Sequence, residues 1–257
     1  MIQIKNAAEL ALMRRACEIS AAALKAGGEA IEPGISTAEI DKIIYDFIVR
    51  HGARPNFLHL YGFPATACIS VNDTVIHGIP NHNQKIRPGD IVSIDTGCKI
   101  NGFNGDNACT FACGKVDLEA RRLMEVTRES LHRGIAAAQA GNRIGDIGHA
   151  VQAYCEDAGF SVVREFVGHG TGRELHEDPE VPNYGTPGRG PRLVPGMTIA
   201  IEPMICQYGP KVKTLSDGWT VKTKDGGLAA HFEHSVAILR DRTEIMTQGW
   251  EDPNFTL

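Results

Sequence analysis

The order of elements along the chain predicts an α+β fold, in which two successive helix-helix-strand halves, about 1–115 and 116–257, share one sheet covered on one side by helices. Three observations carry this. Capped runs of helical period come in two pairs, each pair precedes a set of strand-like runs, and an Asn-Gly dipeptide joins two of those runs as a hairpin. Asn6 and Glu9 can cap a first helix reaching Gly27-Gly28. Ser36-x-x-Glu39 opens a second, with an apolar face of Ile40, Ile43, Ile44, Phe47 and Ile48 and a stop at Gly52. Strands are expected at about 65–71, 74–78, 90–97 and 105–112. Helices return at about 117–140 and 146–158, ending at Gly141 and Gly159, and strands follow at about 161–167, 197–205, 218–223, 229–239 and 243–247. The Pro/Gly-rich stretch from Pro182 to Pro195 reads as an internal loop. No sequence repeat accompanies the duplicated order.

Composition bounds the function. The 257 residues are 42% hydrophobic and 22% charged, enough to bury a sizeable core in one domain or two fused halves. A net charge of −5 without a Lys/Arg block speaks against nucleic acid and anionic membranes as partners. Residues 1–10 lack the apolar core of a signal peptide, and no run approaches the ~18–20 apolar residues of a membrane span. The seven cysteines form no C-x-x-C pair, and an odd count argues against a closed disulfide framework. Reduced thiols and a cytoplasmic location are expected.

Asp95, Asp106, His169, Glu202 and Glu233 each sit in or beside a strand-like run. Buried carboxylates are costly without a counter-charge or cation, and this oxygen-rich set suits one or two divalent ions of the Mn, Fe, Co or Zn kind. Parity links the two Asp residues. A two-residue turn at Asn101-Gly102 pairs positions summing to 203, so Asp95 faces Ala108 and Asp106 faces Gly97. The two carboxylates are then diagonal neighbours on one face, roughly 7–8 Å apart at the backbone, although either alone would serve as a turn former. Gly168-His169-Gly170-Thr171-Gly172 ends a strand with glycines around an imidazole. Alternation puts Ala200 and Glu202 on one face with Ile199 and Ile201 packed away, and Pro203 stops the ladder. Glu233 shares its face with His231 and Ser235, whereas His234 falls on the core side and reads as structural.

Asn72-Asp73-Thr74-Val75-Ile76-His77-Gly78-Ile79-Pro80, the Asp95–Asp106 hairpin, Gly168 to Gly172, Ile201-Glu202-Pro203-Met204, Asp217 to Thr223 and Phe232-Glu233-His234 together resemble the type I methionine aminopeptidases over nearly the whole chain. The resemblance implies the pita-bread fold, with two pseudo-symmetric halves and a curved antiparallel sheet around two divalent metal ions. It implies that Asp106 and Glu233 bridge the ions, that Asp95 completes one site and His169 with Glu202 the other, and that Glu202 also acts as general base. His176 would hydrogen-bond the substrate carbonyl, and His77 the leaving amide nitrogen. Phe63, Cys68, Leu175 and Trp219 would line a methionine pocket, with Phe57 or Leu60 nearby. The implied partners are nascent polypeptide N-termini with a small second residue, met with transient ribosome association, and the chain is expected to be a monomer. Asn56 to Tyr61, Leu175 and His231 depart from the usual family pattern, which leaves the pocket's shape open. Prolidases and proline aminopeptidases would share the ligands but usually carry a large extra N-terminal domain, whereas the first helix here begins near residue 6. A non-catalytic binding relative would have lost ligands, and here all five are present.

Overall fold

A computed structural model describes residues 1–252, 255 and 257 of the chain. Helix α1 (Ala7–Glu29) begins where Asn6 accepts the amides of Ala8 and Glu9 and the Glu9 carboxylate accepts the Asn6 amide. Helix α2 (Thr37–Arg50) repeats this capping box with Ser36 and Glu39. In the second half, Asp117 caps α3 (Leu118–Ala137) and Asp146 accepts the Arg143 amide at the start of α4 (Ile144–Asp157). Such caps supply partners for amides that a helix start leaves unpaired, which is why the first two starts were readable, whereas α4 begins two residues before the expected 146.

The strands are β1 (Arg54–Pro55), β2 (Ala67–Val71), β3 (Thr74–Ile76), β4 (Ile91–Ile100), β5 (Phe103–Ala112), β6 (Ser161–Val162), β7 (Gly168–Gly170) and β8 (Glu177–Val181). They continue as β9 (Thr198–Ile201), β10 (Met204–Cys206), β11 (Val212–Thr214), β12 (Val221–Thr223), β13 (Ala229–His231), β14 (Glu233–Ile238) and β15 (Thr243–Ile245). Nine of them form one antiparallel sheet ordered β1-β4-β5-β14-β9-β7-β8, with β2 beside β4 and β15 beside β14. Both halves contribute strands to this sheet, the shared one expected, and two further sheets, β13-β10-β6 and β11-β12-β3, lie outside it. At the hairpin, Asn101 (φ 53°) and Gly102 (φ 84°) both adopt the left-handed backbone of a type I′ turn. Ile100 pairs with Phe103, Asp95 with Ala108 and Gly97 with Asp106, the register that parity predicts.

Two expected strands are each two strands in different sheets, and a third is cut short. Of the 161–167 run only β6 forms, paired with β10, and a separate strand, β7, starts at Gly168 and pairs with β8 and β9. His169 therefore lies inside a strand, not beyond the end of one. The 197–205 run breaks at Glu202-Pro203, where proline has no N–H for the ladder. The 229–239 run breaks at Phe232, whose amide donates to the Pro203 carbonyl (3.3 Å), so these two breaks sit side by side. Strands β1, β8 and β11 were not expected, being short or too polar to show alternation.

The core lies between the large sheet and the helices. Gly105 in β5 is a contact point for α1: a Cβ there would stand 2.6 Å from the Ala16 carbonyl oxygen and from Cys17 Cα. Asn107 Nδ2 on the same side donates to Ser20 Oγ (3.1 Å) and to the Thr96 carbonyl (3.0 Å), a buried polar tie between α1, β4 and β5. Ile199 and Ile201 pack into this core with residues of α3 and α4. The opposite face, carrying Asp95, Ala108 and Glu233, is free of helices and forms the floor of the site.

Candidate active site

Strand register brings the five ligand-type residues together. Cys68 pairs with Asp95, Asp95 with Ala108, and Ala108 with Glu233, so one row across four strands carries two carboxylates. Pairing of His234 with Ile201 carries Glu202 alongside Glu233. One pleat further along, β5 holds Asp106 and β7 holds His169, which pairs with Glu180. Residues two apart on a strand share a face, so the set is a two-row patch on the helix-free side.

The distances are those of ligands gathered around cations. His169 Nε2 lies 3.7 Å from Asp106 Oδ2 and 3.6 Å from Glu202 Oε1. Asp106, His169 and Glu233 each offer an atom within 4.8 Å of the others, and so do Glu202, His231 and Glu233, with Glu233 common to both groups. Asp106 and Glu233 are 3% and 2% exposed, yet Asp95 Oδ1, Asp106 Oδ1 and Glu233 Oε1 have no hydrogen-bond partner among the described residues. Orphaned buried carboxylate oxygens in one patch fit divalent cations, which satisfy several anions at once. Their ionisation reflects this. Burial pushes the Asp106 carboxyl up to about 7, and burial with mutual repulsion pushes those of Asp95, Glu202 and Glu233 well above the usual range. Burial, reinforced by His176, lowers His169 to about 4, leaving a neutral imidazole with a free electron pair. Its Nδ1 faces the Gly170 carbonyl at 2.8 Å, which leaves Nε2 as the nitrogen available to a cation.

Above this floor is a cleft of about 670 Å³ whose walls include all the remaining expected site residues. Phe57, Phe63, Ala65, Cys68 and Leu175 form one apolar cluster, with Leu60, Ile79 and Trp219 packed against it. Phe63 and Trp219 meet edge to face with centroids 5.1 Å apart. His77, edge to face with Trp219 at 6.1 Å, and His176 line the same cleft. His77 has a left-handed backbone (φ 58°) and Gly78 follows it against Ile69, so the strand end turns the imidazole into the cleft. Burial, with a smaller effect of His176, lowers His77 to about 4, and burial lowers His176. The His176 ring lies edge-on to His169 at 4.5 Å. His234, by contrast, is fully buried on the far face, bonded to Thr247 Oγ1 (2.9 Å) and stacked on Trp250 at 4.7 Å.

The sequence reading missed part of the cleft. Phe166 and Tyr61 also line it, Phe166 edge to face with His77 at 5.7 Å and Tyr61 stacked on His176 at 6.2 Å. Alternation placed His231 on the Glu233 face and the family pattern marked it as a departure, but it was given no role in the site. It is 1% exposed, both ring nitrogens lack hydrogen-bond partners among the described residues, and Nε2 sits 3.4 Å from Glu202 Oε2. For Phe166, in the segment where the chain changes sheets, no local pattern exists.

A curled antiparallel sheet, four covering helices and a buried carboxylate-imidazole floor define a metal-dependent hydrolase of the pita-bread fold. The chain belongs to metallopeptidase family M24, whose sequence profile matches residues 11–240. It is 53% identical over 247 residues to a methionine aminopeptidase of Clostridium perfringens, covering 96% of this chain and 99% of that one. It is 48% identical over 248 residues to methionine aminopeptidase 1 of Bacillus subtilis, covering 96% and 100%. The crystal structure of the methionine aminopeptidase from Thermotoga maritima superposes with a TM-score of 0.95 at 41% identity, covering 96% and 99%. The prolidase from Pyrococcus furiosus also shares the fold (TM-score 0.77, 25% identity), but this chain covers 65% of it.

Proposed function

We propose that this chain removes the N-terminal methionine from nascent proteins and peptides whose second residue is small. The observation that carries the reading is the juxtaposition in one cleft of the ligand rows, the apolar wall of Phe57, Phe63, Cys68, Leu175 and Trp219, and the imidazoles of His77 and His176. Such a wall takes a thioether chain, apolar contact being the default for small-molecule recognition. Asp95, Asp106, His169, Glu202 and Glu233 would hold the metal, and the recurrence of Glu233 in both ligand groups supports two ions. Bound Mn, Fe, Co or Zn would supply Lewis acidity and a water of lowered pKa.

The chain's own groups do the rest. Glu202, in the row beside Glu233, would accept the water's proton as general base. His176, kept neutral, donates an N–H to the scissile carbonyl as charge develops there, and neutral His77 contacts the leaving amide nitrogen. On this reading residues 1–257 act as one catalytic domain of two halves meeting near residue 115. The protein works as a cytoplasmic monomer on nascent chains, in transient contact with the ribosome. Consistent with this, no helix among the described residues is long and apolar enough to cross a membrane. Incubating metal-reconstituted protein with Met-Ala-Ser and with X-Pro peptides, and weighing the products, tests the reading. Free methionine with Ala-Ser is the expected product, and cleavage confined to X-Pro peptides would overturn it.

A further inference from the structure

We infer that Lys5 and Glu177 form a buried clamp, outside the ligand patch, that positions His176. The inference deepens the reading above, since His176 acts on the scissile carbonyl only within it. Their side chains are 4% and 7% exposed, and Lys5 Nζ donates to Glu177 Oε2. The other carboxylate oxygen, Oε1, accepts the amides of Arg173 (2.8 Å) and Glu174 (3.1 Å). Glu177 thus closes the 173–177 turn on itself while Lys5 pins the turn from outside. From the hairpin side, Asn104 Nδ2 donates to the carbonyls of Gly172 (2.8 Å) and Arg173 (3.0 Å).

Two glycines make room for the clamp. A Cβ at Gly172 would stand 2.3 Å from Lys5 Cε and 2.6 Å from Nζ. A Cβ at Gly196 would stand 2.7 Å from Ile4 Cγ2 and from the Lys5 carbonyl oxygen, and the Lys5 amide donates to the Gly196 carbonyl at 2.8 Å. The segment before α1 is therefore seated in a fitted groove.

Leu175 and His176 ride on the clamped turn. Among the described residues no side-chain hydrogen bond orients the His176 ring, whose neighbours are the rings of His169 and Tyr61. Its aim is set by the backbone that carries it. A buried ion pair adds little net stability, but loss of one partner strands a buried charge, so the pair's contribution lies in fixing geometry.

The test uses full-length Lys5→Met and, should that variant fold poorly, Lys5→Met/Glu177→Gln, which removes both charges. For either, kcat on Met-Ala-Ser should fall roughly 10- to 100-fold while KM and metal affinity stay within about threefold, because misplacing a catalytic group by an ångström costs that much. Amide exchange at Arg173 and Glu174 should accelerate at least about tenfold with β4 and β5 unchanged. Unaltered kcat and unaltered exchange, whatever the shift in Tm, would overturn the clamp. So would a parallel loss of metal affinity. If the unsubstituted protein fails to cleave Met-Ala-Ser, the proposed activity fails, while exchange at Arg173 and Glu174 still decides the clamp.

Discussion

Asp106, with its carboxyl raised to about 7 by burial, couples metal binding to protons. A carboxyl with a raised folded pKa keeps its proton where the unfolded chain has lost it. In metal-free protein its contribution therefore favours folding below the unfolded value of 3.8 and is lost as pH rises through about 7. Asp95, Glu202 and Glu233 act in the same sense. His77, His169 and His231 act oppositely, held neutral in the fold and so costing stability as pH falls below 6.5. A divalent cation selects the ionised carboxylates, so its affinity should rise with pH through about 7 and binding at pH 6 should release protons. Calorimetric titration in two buffers of different ionisation heat would show it, and identical heats would contradict it. At the same scale, His176→Ala should lower kcat by about 10²–10³ with little change in KM, as for loss of one oxyanion donor. A change in KM alone would reduce its role to substrate binding. All five ligand-type residues were legible because charge inside a strand-like run is anomalous. His231 was not, since a single histidine beside a ligand strand gives no sign of whether its ring nitrogens find partners.

Between α1 and β5, the close approach at Gly105 leaves no space for a methyl group. Gly105→Ala would press on the backbone of Ala16 and Cys17, and overpacking of this kind costs roughly 1–3 kcal/mol. At about 2–4 °C per kcal/mol for a chain of this size, Tm should fall by several degrees, and an unchanged Tm would contradict the tight packing. The hairpin offers a second test. One residue inserted between Asn101 and Gly102 should either slip the β4–β5 register, turning Asp106 to the helix side and abolishing metal binding, or bulge at the turn and leave it intact. The account expects the slip, because the type I′ turn fixes register, and retention of full metal affinity would contradict that. This hairpin was legible because turn chemistry acts locally. The sheet changes at 163–167, Pro203 and Phe232 were not, since alternation along one strand carries no record of which sheet receives it. Neither was the Lys5–Glu177 pair, whose members are 172 residues apart.

Across the whole molecule, the duplicated order of elements is what assembles the site. The first half brings Asp95 and Asp106 on one hairpin, the second brings His169 and Glu233 on β7 and β14 with Glu202 just past the end of β9, and the cleft opens where the sets meet. Element order alone was enough to expect helices on one face, and the ligand rows then had to lie on the other. The small sheets were hidden because their strands are three residues or shorter. On the proposed reading, acylation of the substrate's amine removes its lone pair and adds bulk at the carboxylate patch. On the same reading the groove beside His77 and His176 admits only a small second residue. Side-by-side kcat/KM values for Met-Ala-Ser, formyl-Met-Ala-Ser and Met-Lys-Ser, with divalent ions and with chelator, test the proposed activity most directly. Efficient turnover of Met-Ala-Ser alone, abolished by chelator, is the predicted result; comparable values for all three peptides, or turnover that survives chelation, would contradict it.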